Sequence, residues 1–313
     1  MNKIAESFKA FGKGLIDYAG LFPPASLMLR PALDHFAQFQ KSAESWMLSR
    51  FIVPIPKLHE IDAQTMAAFS DKDAFKLRLS LITQNLAEDL LVFLGFREEW
   101  RHRIFVDIIE TRFPASDDFR EAFWSNAEVL QKAKLPLRTF YELPFDGSWD
   151  DRLDSAVEAL QNFNQESPEQ LEVGFKLRCG GVEAHQFPSP AQVARSILSC
   201  RDAGLPMKFT AGLHHPIRHF DSSVHTKMHG FVNVFGGGIL AHVHSLDEKN
   251  LVEILADEDA AAFSFDDDNF SWRELHVKTE EIARIRKNAL LSYGSCSFDE
   301  PRDDLRELRW LSA

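Results

Sequence analysis

Residues 174–178, Gly-Phe-Lys-Leu-Arg, and residues 207–210, Met-Lys-Phe-Thr, both alternate apolar and polar side chains. In a β-strand, such alternation sends the two kinds of side chain to opposite faces. One face would pack under helices, and the other would carry Lys176, Arg178, Lys208 and Thr210. Charged groups are costly to bury, so two lysines on an inner face favour a chemical role. The two segments predict neighbouring strands of a closed parallel barrel with a reactive interior.

Strand-like and helix-like segments alternate through the rest of the chain. Eight runs read as strands: 14–19, 50–55, 75–82, 103–111, 137–143, 174–181, 207–215 and 261–266. Eight strand-helix units joined by right-handed crossovers match a (β/α)8 TIM barrel. A doubly wound open sheet usually carries a glycine-rich turn after its first strand, and GxGxxG is absent there. The sequence predicts one domain over residues 1–313, with 280–313 as a C-terminal helical extension.

Composition limits the kinds of molecule that the protein is expected to bind and the compartment in which it is expected. The formal net charge is -12, and the 313 residues contain no long Lys/Arg block, so nucleic acid is not an expected partner. Three cysteines without CxxC spacing, and an N-terminus without a signal-peptide core, favour a cytosolic protein. No apolar run approaches the roughly 20 residues of a membrane helix. We expect a cytoplasmic enzyme for a small-molecule substrate, without cofactor or membrane partner. The sequence leaves the oligomeric state open, with a homo-oligomer as one alternative.

The active site of such a barrel forms at the carboxyl ends of its strands. The predicted catalytic residues there are Lys176, Lys208, Asp107, Glu110, His214 and His215. The predicted substrate-binding residues are Asp17, Tyr18, Glu142, Arg178, Thr210 and Asp266. Arg178 could hold a substrate carboxylate through two hydrogen bonds.

Two inward lysines suggest Schiff-base chemistry. A lysine amine attacks a carbonyl only when it is neutral, and a pKa near 10.4 leaves about one amine in a thousand neutral at pH 7. Strands about 4.8 Å apart bring two lysines close enough to lower each other's pKa. One amine would then form an iminium with an aldehyde or ketone, while Asp107 or Glu110 moves protons. The residues alone leave open whether Lys176 or Lys208 is the nucleophile.

Residues 172–216 resemble the deoxyribose-phosphate aldolases and related class I aldolases of the (β/α)8 fold. Those enzymes carry a Schiff-base lysine on strand 6, in a Lys-Thr-Ser-Thr-Gly context, and a second lysine on strand 7 before a Gly-Gly pair. Here the sequences KLRCG, from Lys176, and KFTAG, from Lys208, occupy similar places. The resemblance implies that Lys176 is the nucleophile and Lys208 its pKa partner. The hydroxyl residues of the first motif are absent, and Leu213 replaces the second glycine of the other.

Histidines support a rival interpretation. Seven of the twelve lie between His214 and His244, and His214, His215 and Asp266 could hold an ion that activates water. The sequence, however, lacks HExxH and a His-x-His at the end of strand 1. A metal-dependent hydrolase or lyase therefore stands beside the Schiff-base lyase, with a non-catalytic ligand- or protein-binding barrel as a third alternative. The Schiff-base lyase is the preferred interpretation. It expects no metal, and in it His214 and His215 act as acid and base.

Overall fold

A closed barrel of eight parallel strands forms the centre of the protein. The computed structural model describes residues 3–116, 118–168 and 171–312. The barrel strands are β1 (Ile16–Tyr18), β2 (Leu48–Pro54), β3 (Leu77–Ile82), β4 (Ile104–Arg112), β5 (Arg138–Glu142), β6 (Val173–Arg178), β7 (Met207–Thr210) and β13 (Leu290–Ser295). Strands β1 to β7 pair in sequence, and β13 closes the circle between β7 and β1. The predicted single-domain (β/α)8 barrel is confirmed.

Helices cover the outside of the barrel. They are α1 (Glu6–Gly12), α2 (Leu29–Phe39), α3 (Ala63–Met66), α4 (Leu86–Trp100), α5 (Phe119–Lys132), α6 (Trp149–Glu166), α7 (Pro190–Asp202), α8 (Phe231–His244), α9 (Glu248–Ala256), α10 (Thr279–Asn288) and α11 (Asp299–Glu307). Sequence signals set several of these starts: Asn85 caps α4, Asp118 caps α5, and Ser189 with Gln192 forms a capping box on α7. In the described part of the chain, none of these helices has the length and apolar character needed to cross a bilayer.

Alternation along the strands separates the core from the lumen. On β3, Leu77, Leu79 and Leu81 are fully buried under the helices, while Ser80 points inward. On β6 and β7, Phe175, Leu177 and their β7 counterparts lie in the same outer core. Lys176 is paired in register with Lys208. The predicted inward placement of the two lysines on adjacent strands is therefore confirmed.

The eighth predicted strand is wrong. Residues 261–266 contribute β10 (Phe263–Phe265), which pairs antiparallel with β11 (Asn269–Trp272), itself paired with β12 (Leu275–Lys278). This small sheet packs against α1, where the Phe8 and Phe265 rings lie 5.0 Å apart. Alternation reveals a strand but not its partner, and Phe263 to Phe265 pairs with the next segment of the chain.

The C-terminal segment is part of the barrel and not only a helical extension. Residues 280–313 contain most of α10, then β13, then α11. Leu290 and Leu291 continue the helical pattern of α10 in sequence, because leucine suits both helix and strand. The chain instead leaves the helix after Asn288 and supplies the eighth strand of the barrel.

One further hairpin bears on the site. Strands β8 (His219–Asp221) and β9 (Thr226–Met228) pair antiparallel in the connection between β7 and α8. This connection leaves the carboxyl end of β7, which is the end where barrel enzymes bind substrate. The hairpin and the segment before it carry four of the clustered histidines, His214, His215, His219 and His225.

Candidate active site

A cavity of about 750 Å³ opens at the carboxyl ends of the barrel strands. We call it the mouth cavity. Its polar wall includes Thr83, Glu110, Arg112, Glu142, Lys176, Arg178, Thr210 and His214, and its apolar rim includes Phe22, Pro23, Pro24 and Val182. The volume and the few convergent polar groups are those of a small-molecule site.

Lys176 lies on the floor of the mouth cavity between two carboxylates. Its Nζ is 2.8 Å from Oε2 of Glu110 and 2.8 Å from Oε2 of Glu142. The Lys176 side chain is only 7% exposed, and that exposure faces the cavity. Lys176 is therefore an amine that a ligand can reach from the cavity, with a carboxylate on each side.

Lys208 lies behind Glu110, deeper in the lumen. Its Nζ is 2.5 Å from Oε1 of Glu110 and 2.8 Å from Oδ2 of Asp17. Ser80 and Ser292 complete this layer: Ser80 donates to Glu110 at 2.6 Å, and Ser292 donates to Asp17 at 2.6 Å. Lys208 is therefore enclosed by protein, whereas Lys176 borders the cavity.

Eight charged side chains of alternating sign run through the lumen. In spatial order this charge chain consists of Arg178, Glu142, Lys176, Glu110, Lys208, Asp17, Arg50 and Asp107. At the far end of this charge chain, Arg50 donates two hydrogen bonds to Asp107, at 2.7 and 2.5 Å. Four cations face four carboxylates, so the chain carries no net charge from one end to the other.

Electrostatics reverse the predicted effect of the two lysines on each other. Burial alone would lower the pKa of Lys176, but Glu110 and Glu142 outweigh burial and hold that pKa above its ordinary value. Burial alone would raise the pKa of Glu110, but Lys176 and Lys208 hold it well below its ordinary range. The prediction that the lysines lower each other's pKa overlooked the carboxylate between them. In the resting site, Lys176 is an ammonium and Glu110 a carboxylate.

Arg178 stands at the cavity end of the charge chain. Its Nε donates to Oε1 of Glu142 at 2.9 Å, and one terminal nitrogen donates to the carbonyl of Gly180 at 3.4 Å. The side chain is 33% exposed toward the cavity. Arg112, which lies beside Glu142 in the β4–β5 register, adds a second cation to the same wall. This side of the cavity is suited to an anionic group on a ligand.

Strand β7 ends in a constrained turn that shapes the cavity wall. Ala211 and Gly212 both have positive φ, at 58° and 67°. A Cβ on Gly212 would come within 2.7 Å of the Cys179 carbonyl oxygen and of the Gly180 Cα. Glycine is therefore required at 212 both for its backbone conformation and for the close approach of the loops after β6 and β7.

The two histidines after β7 contact α11. His214 lies 3.1 Å from Glu300, and its Nδ1 is 3.9 Å from the Cys296 sulfur. Burial would lower the pKa of His214, but these two neighbours raise it to about 9. His215 is held by Asp304, 2.6 Å from its Nδ1. His214 borders the mouth cavity, as expected, and His215 faces the β8–β9 hairpin.

Three predicted site residues lie elsewhere. Tyr18 is buried outside the lumen, where it packs on Phe39 and lies 3.5 Å from His35, because alternation can direct only one of Asp17 and Tyr18 inward. Asp107 pairs with Arg50 at the amino-terminal mouth, away from Lys176. Asp266 accepts hydrogen bonds from the backbone of residues 268 and 269 in the β10–β11 turn, so it does not join His214 and His215.

Several functional neighbours were missed by sequence reasoning. Arg50 was available as the polar inward residue at the start of a predicted strand. Ser292, Cys296 and Glu300 were missed because the eighth strand was placed about 30 residues too early.

Among the residues that the structure describes, one group of side chains is spaced so that it could hold a metal ion: His215, His219 and Asp221.

Comparison with known proteins identifies no family for this sequence. No protein-family model matches the sequence, and no curated protein matches it either.

Proposed function

We propose that the protein is a Schiff-base lyase or aldolase that acts on a small carbonyl compound, with Lys176 as the nucleophile. One observation carries the proposal. Lys176 is a nearly buried amine on the floor of a ligand-sized cavity, and two carboxylates lie within 2.8 Å of it. Lys208 is enclosed below and keeps Glu110 ionised, so it serves as the fixed cation and not as the nucleophile.

The raised pKa of Lys176 is compatible with this chemistry. Overall, an ammonium and a ketone give an iminium cation and one water molecule, with no net release of a proton. Glu110 or Glu142 takes the proton from the Lys176 ammonium, and that proton later leaves with the carbinolamine hydroxyl as water. The two carboxylates that stabilise the ammonium also stabilise the iminium, because both are cations at the same nitrogen. The two carboxylates disfavour only the neutral amine, which is transient.

The iminium would then serve as an electron sink. Electrons from a breaking carbon-carbon bond can flow into it to give an enamine, and the reverse flow makes the bond. Glu142 contacts both Lys176 and Arg178, so it is placed to exchange a proton with a substrate hydroxyl held between them. Arg178 and Arg112 favour substrates with a carboxylate, such as 2-oxo acids.

The other two interpretations have less support. The hydrolase built on His214, His215 and Asp266 loses its carboxylate, because Asp266 lies in the β10–β11 turn. A non-catalytic barrel would not need an amine between two carboxylates at the floor of its cavity. The cytosolic location belongs to this proposal, and the three free cysteines are consistent with it.

Borohydride trapping tests the proposal. The protein is incubated with glyoxylate, pyruvate, acetaldehyde and glycolaldehyde, each with borohydride, and then analysed by intact mass and peptide mapping. We expect a stable adduct on Lys176 with at least one carbonyl compound. Lys176→Met should abolish it, and this variant should fold because Glu110 keeps Lys208 and Glu142 keeps Arg178 as counter-ions.

Lys227→Met is the matched control. Lys227 is an exposed lysine that pairs with Glu258, so its removal should leave the adduct intact. Labelling spread over surface lysines, or equal trapping in folded Lys176→Met protein, would exclude Lys176 as the nucleophile. An adduct on Lys208 would keep the chemistry but reverse the assignment of the two lysines.

A further inference from the structure

Two histidines and an aspartate converge in the β7–α8 connection. One possible ligand atom from each of His215, His219 and Asp221 lies within 4.8 Å of the other two. Three atoms so spaced have a common point within about 2.8 Å of each, so shifts of about 0.7 Å would give zinc–ligand distances of about 2.0 to 2.1 Å. The ligand set lies within seven residues of chain, and the β8–β9 hairpin fixes the last part of it.

Hydrogen bonds set the tautomer of both rings. Nδ1 of His215 lies 2.6 Å from Oδ2 of Asp304, and Nδ1 of His219 lies 3.1 Å from the carbonyl oxygen of Ile217. A carbonyl oxygen and an ionised carboxylate only accept hydrogen bonds, so Nδ1 carries the proton in each neutral ring. Nε2 of each ring therefore has a free lone pair. Metal-binding histidines are held in this manner, by a carboxylate or carbonyl on the other nitrogen.

Asp221 is held in the same fashion. Its Oδ1 accepts hydrogen bonds from the Ser223 backbone N–H at 2.7 Å and from the Ser223 hydroxyl at 2.6 Å. Its Oδ2 remains available and lies 3.9 Å from Nε2 of His219. That separation is too long for a hydrogen bond, but it suits two ligands of one ion after a small contraction.

We propose that His215, His219 and Asp221 bind a divalent transition-metal ion, with zinc as the expected ion. Imidazole favours zinc, copper, iron and nickel over calcium or magnesium, and two histidines with one carboxylate form an established zinc ligand set. Glu300 of α11 is placed to supply a fourth ligand, because its Oε1 lies 3.8 Å from Nε2 of His215. The ion would join the β8–β9 hairpin to α11, beside the mouth cavity. This site is separate from Lys176 and does not depend on the lyase chemistry.

Metal analysis of the protein tests the site directly. Tag-free protein is purified without chelator, its metals are quantified by mass spectrometry, and zinc affinity is measured by equilibrium dialysis after stripping. We expect one ion per chain in the wild type. Cobalt(II), the second probe, should give visible absorption bands of a low-symmetry nitrogen and oxygen site.

Single substitutions separate the site from adventitious binding. Loss of a residue that only orients a metal ligand usually lowers metal affinity about 10- to 100-fold. Asp304 orients His215, so Asp304→Asn should lower zinc affinity by about 10-fold. His219→Gln removes a ligand itself and should lower zinc affinity by about 100-fold or more. His225→Asn is the control, because His225 is exposed in the turn of the same hairpin. Zinc should also raise the melting temperature of the wild type and of His225→Asn, but not of His219→Gln.

Two results would overturn the proposal. One is equal zinc affinity in the wild type and in His219→Gln. The other is an equally large loss in His225→Asn, which would mean that any histidine of the segment contributes to weak surface binding. The ligand side chains are only partly buried, and stripped variants should give the same circular dichroism as the stripped wild type, so a folding defect would be recognised.

Discussion

The Lys208 amine lies 2.5 Å from Oε1 of Glu110, and each side chain is only 1% exposed. Removal of one partner from such a buried pair leaves an uncompensated charge in a region of low dielectric. The pair thus holds the Lys208 side chain at the centre of the lumen. Lys176, one strand away, is left as the amine that a ligand can reach.

The first prediction concerns stability. Lys208→Met should lower the free energy of unfolding by about 3 to 5 kcal/mol, the usual cost of breaking a buried ion pair. Urea denaturation followed by circular dichroism measures it. Lys227→Met, which breaks an exposed pair, should cost less than about 1 kcal/mol. Equal losses in the two variants would show that the interior pair does not hold Lys208 and Glu110 as described.

The second prediction concerns pH. His229 is fully buried, and burial lowers its pKa to about 4. Its Nε2 donates to the Pro188 carbonyl at 2.7 Å, and Arg218 donates to its Nδ1 at 3.2 Å. Because the folded-state pKa lies below the unfolded value near 6.5, the unfolded chain binds more protons between pH 6.5 and 4.

The stability contributed by neutral His229 is therefore present above pH 6.5 and is lost as the pH falls toward 4. The slope should reach at most about 1.4 kcal/mol per pH unit. His229→Gln keeps a donor for Pro188 but does not titrate, so its free energy of unfolding should depend less on pH in this window. An unchanged slope in urea titrations would exclude His229 as the origin.

The third prediction concerns the β7 turn. Gly212→Ala should destabilise the protein by more than the roughly 1 to 2 kcal/mol of a left-handed alanine, because the added Cβ meets backbone atoms of Cys179 and Gly180. Gly204→Ala is the matched control: its φ of 68° is nearly the same, but no atom lies within 4 Å of the added Cβ. The difference between the two melting curves isolates the steric contribution. If it is absent, the loops after β6 and β7 are free to separate.

The fourth prediction concerns substrate charge, and it rests on the proposed lyase. Arg178→Lys keeps the positive charge but loses the planar fork that binds a carboxylate through two hydrogen bonds. We expect trapping of pyruvate on Lys176 to slow by about 10- to 100-fold, the equivalent of 1.5 to 3 kcal/mol for a charged hydrogen bond, with little change for acetaldehyde. Arg120→Lys, at an exposed ion pair with Glu166, should affect neither. Equal slowing for both carbonyl compounds would place Arg178 outside the carboxylate site.

Features that depend on a short stretch of sequence could be predicted, and features that depend on contacts between distant segments could not. The inward placement of Lys176 and Lys208 depends on alternation within two short strands, and the structure confirms it. The same rule would have excluded Tyr18, since its neighbour Asp17 points inward. The position of Glu110 between the lysines depends on a register irregularity between β3 and β4 and on contacts across the lumen. Neither is visible in one sequence.

The misplaced eighth strand shows the same limit. Phe263 to Phe265 has a good strand pattern but pairs with its own hairpin neighbour, whereas Leu290 to Ser295 reads as the end of a helix. Ser292, which supports Asp17, and Glu300, which contacts His214, were lost with that error. Closure of the barrel depends on contacts between segments more than 270 residues apart, and a local pattern carries no information about them.

The balance of four cations and four carboxylates in the lumen has a consequence for how this protein can vary. A substitution that removes any one of the eight charges leaves a net charge in the lumen, where water cannot compensate for it. Each single substitution is therefore unfavourable. A second substitution of opposite sign at a neighbouring position restores the balance. Among descendants of this sequence, we therefore expect these positions to change in oppositely charged pairs, with Arg178 and Asp107, the two ends nearest solvent, the most tolerant of single changes.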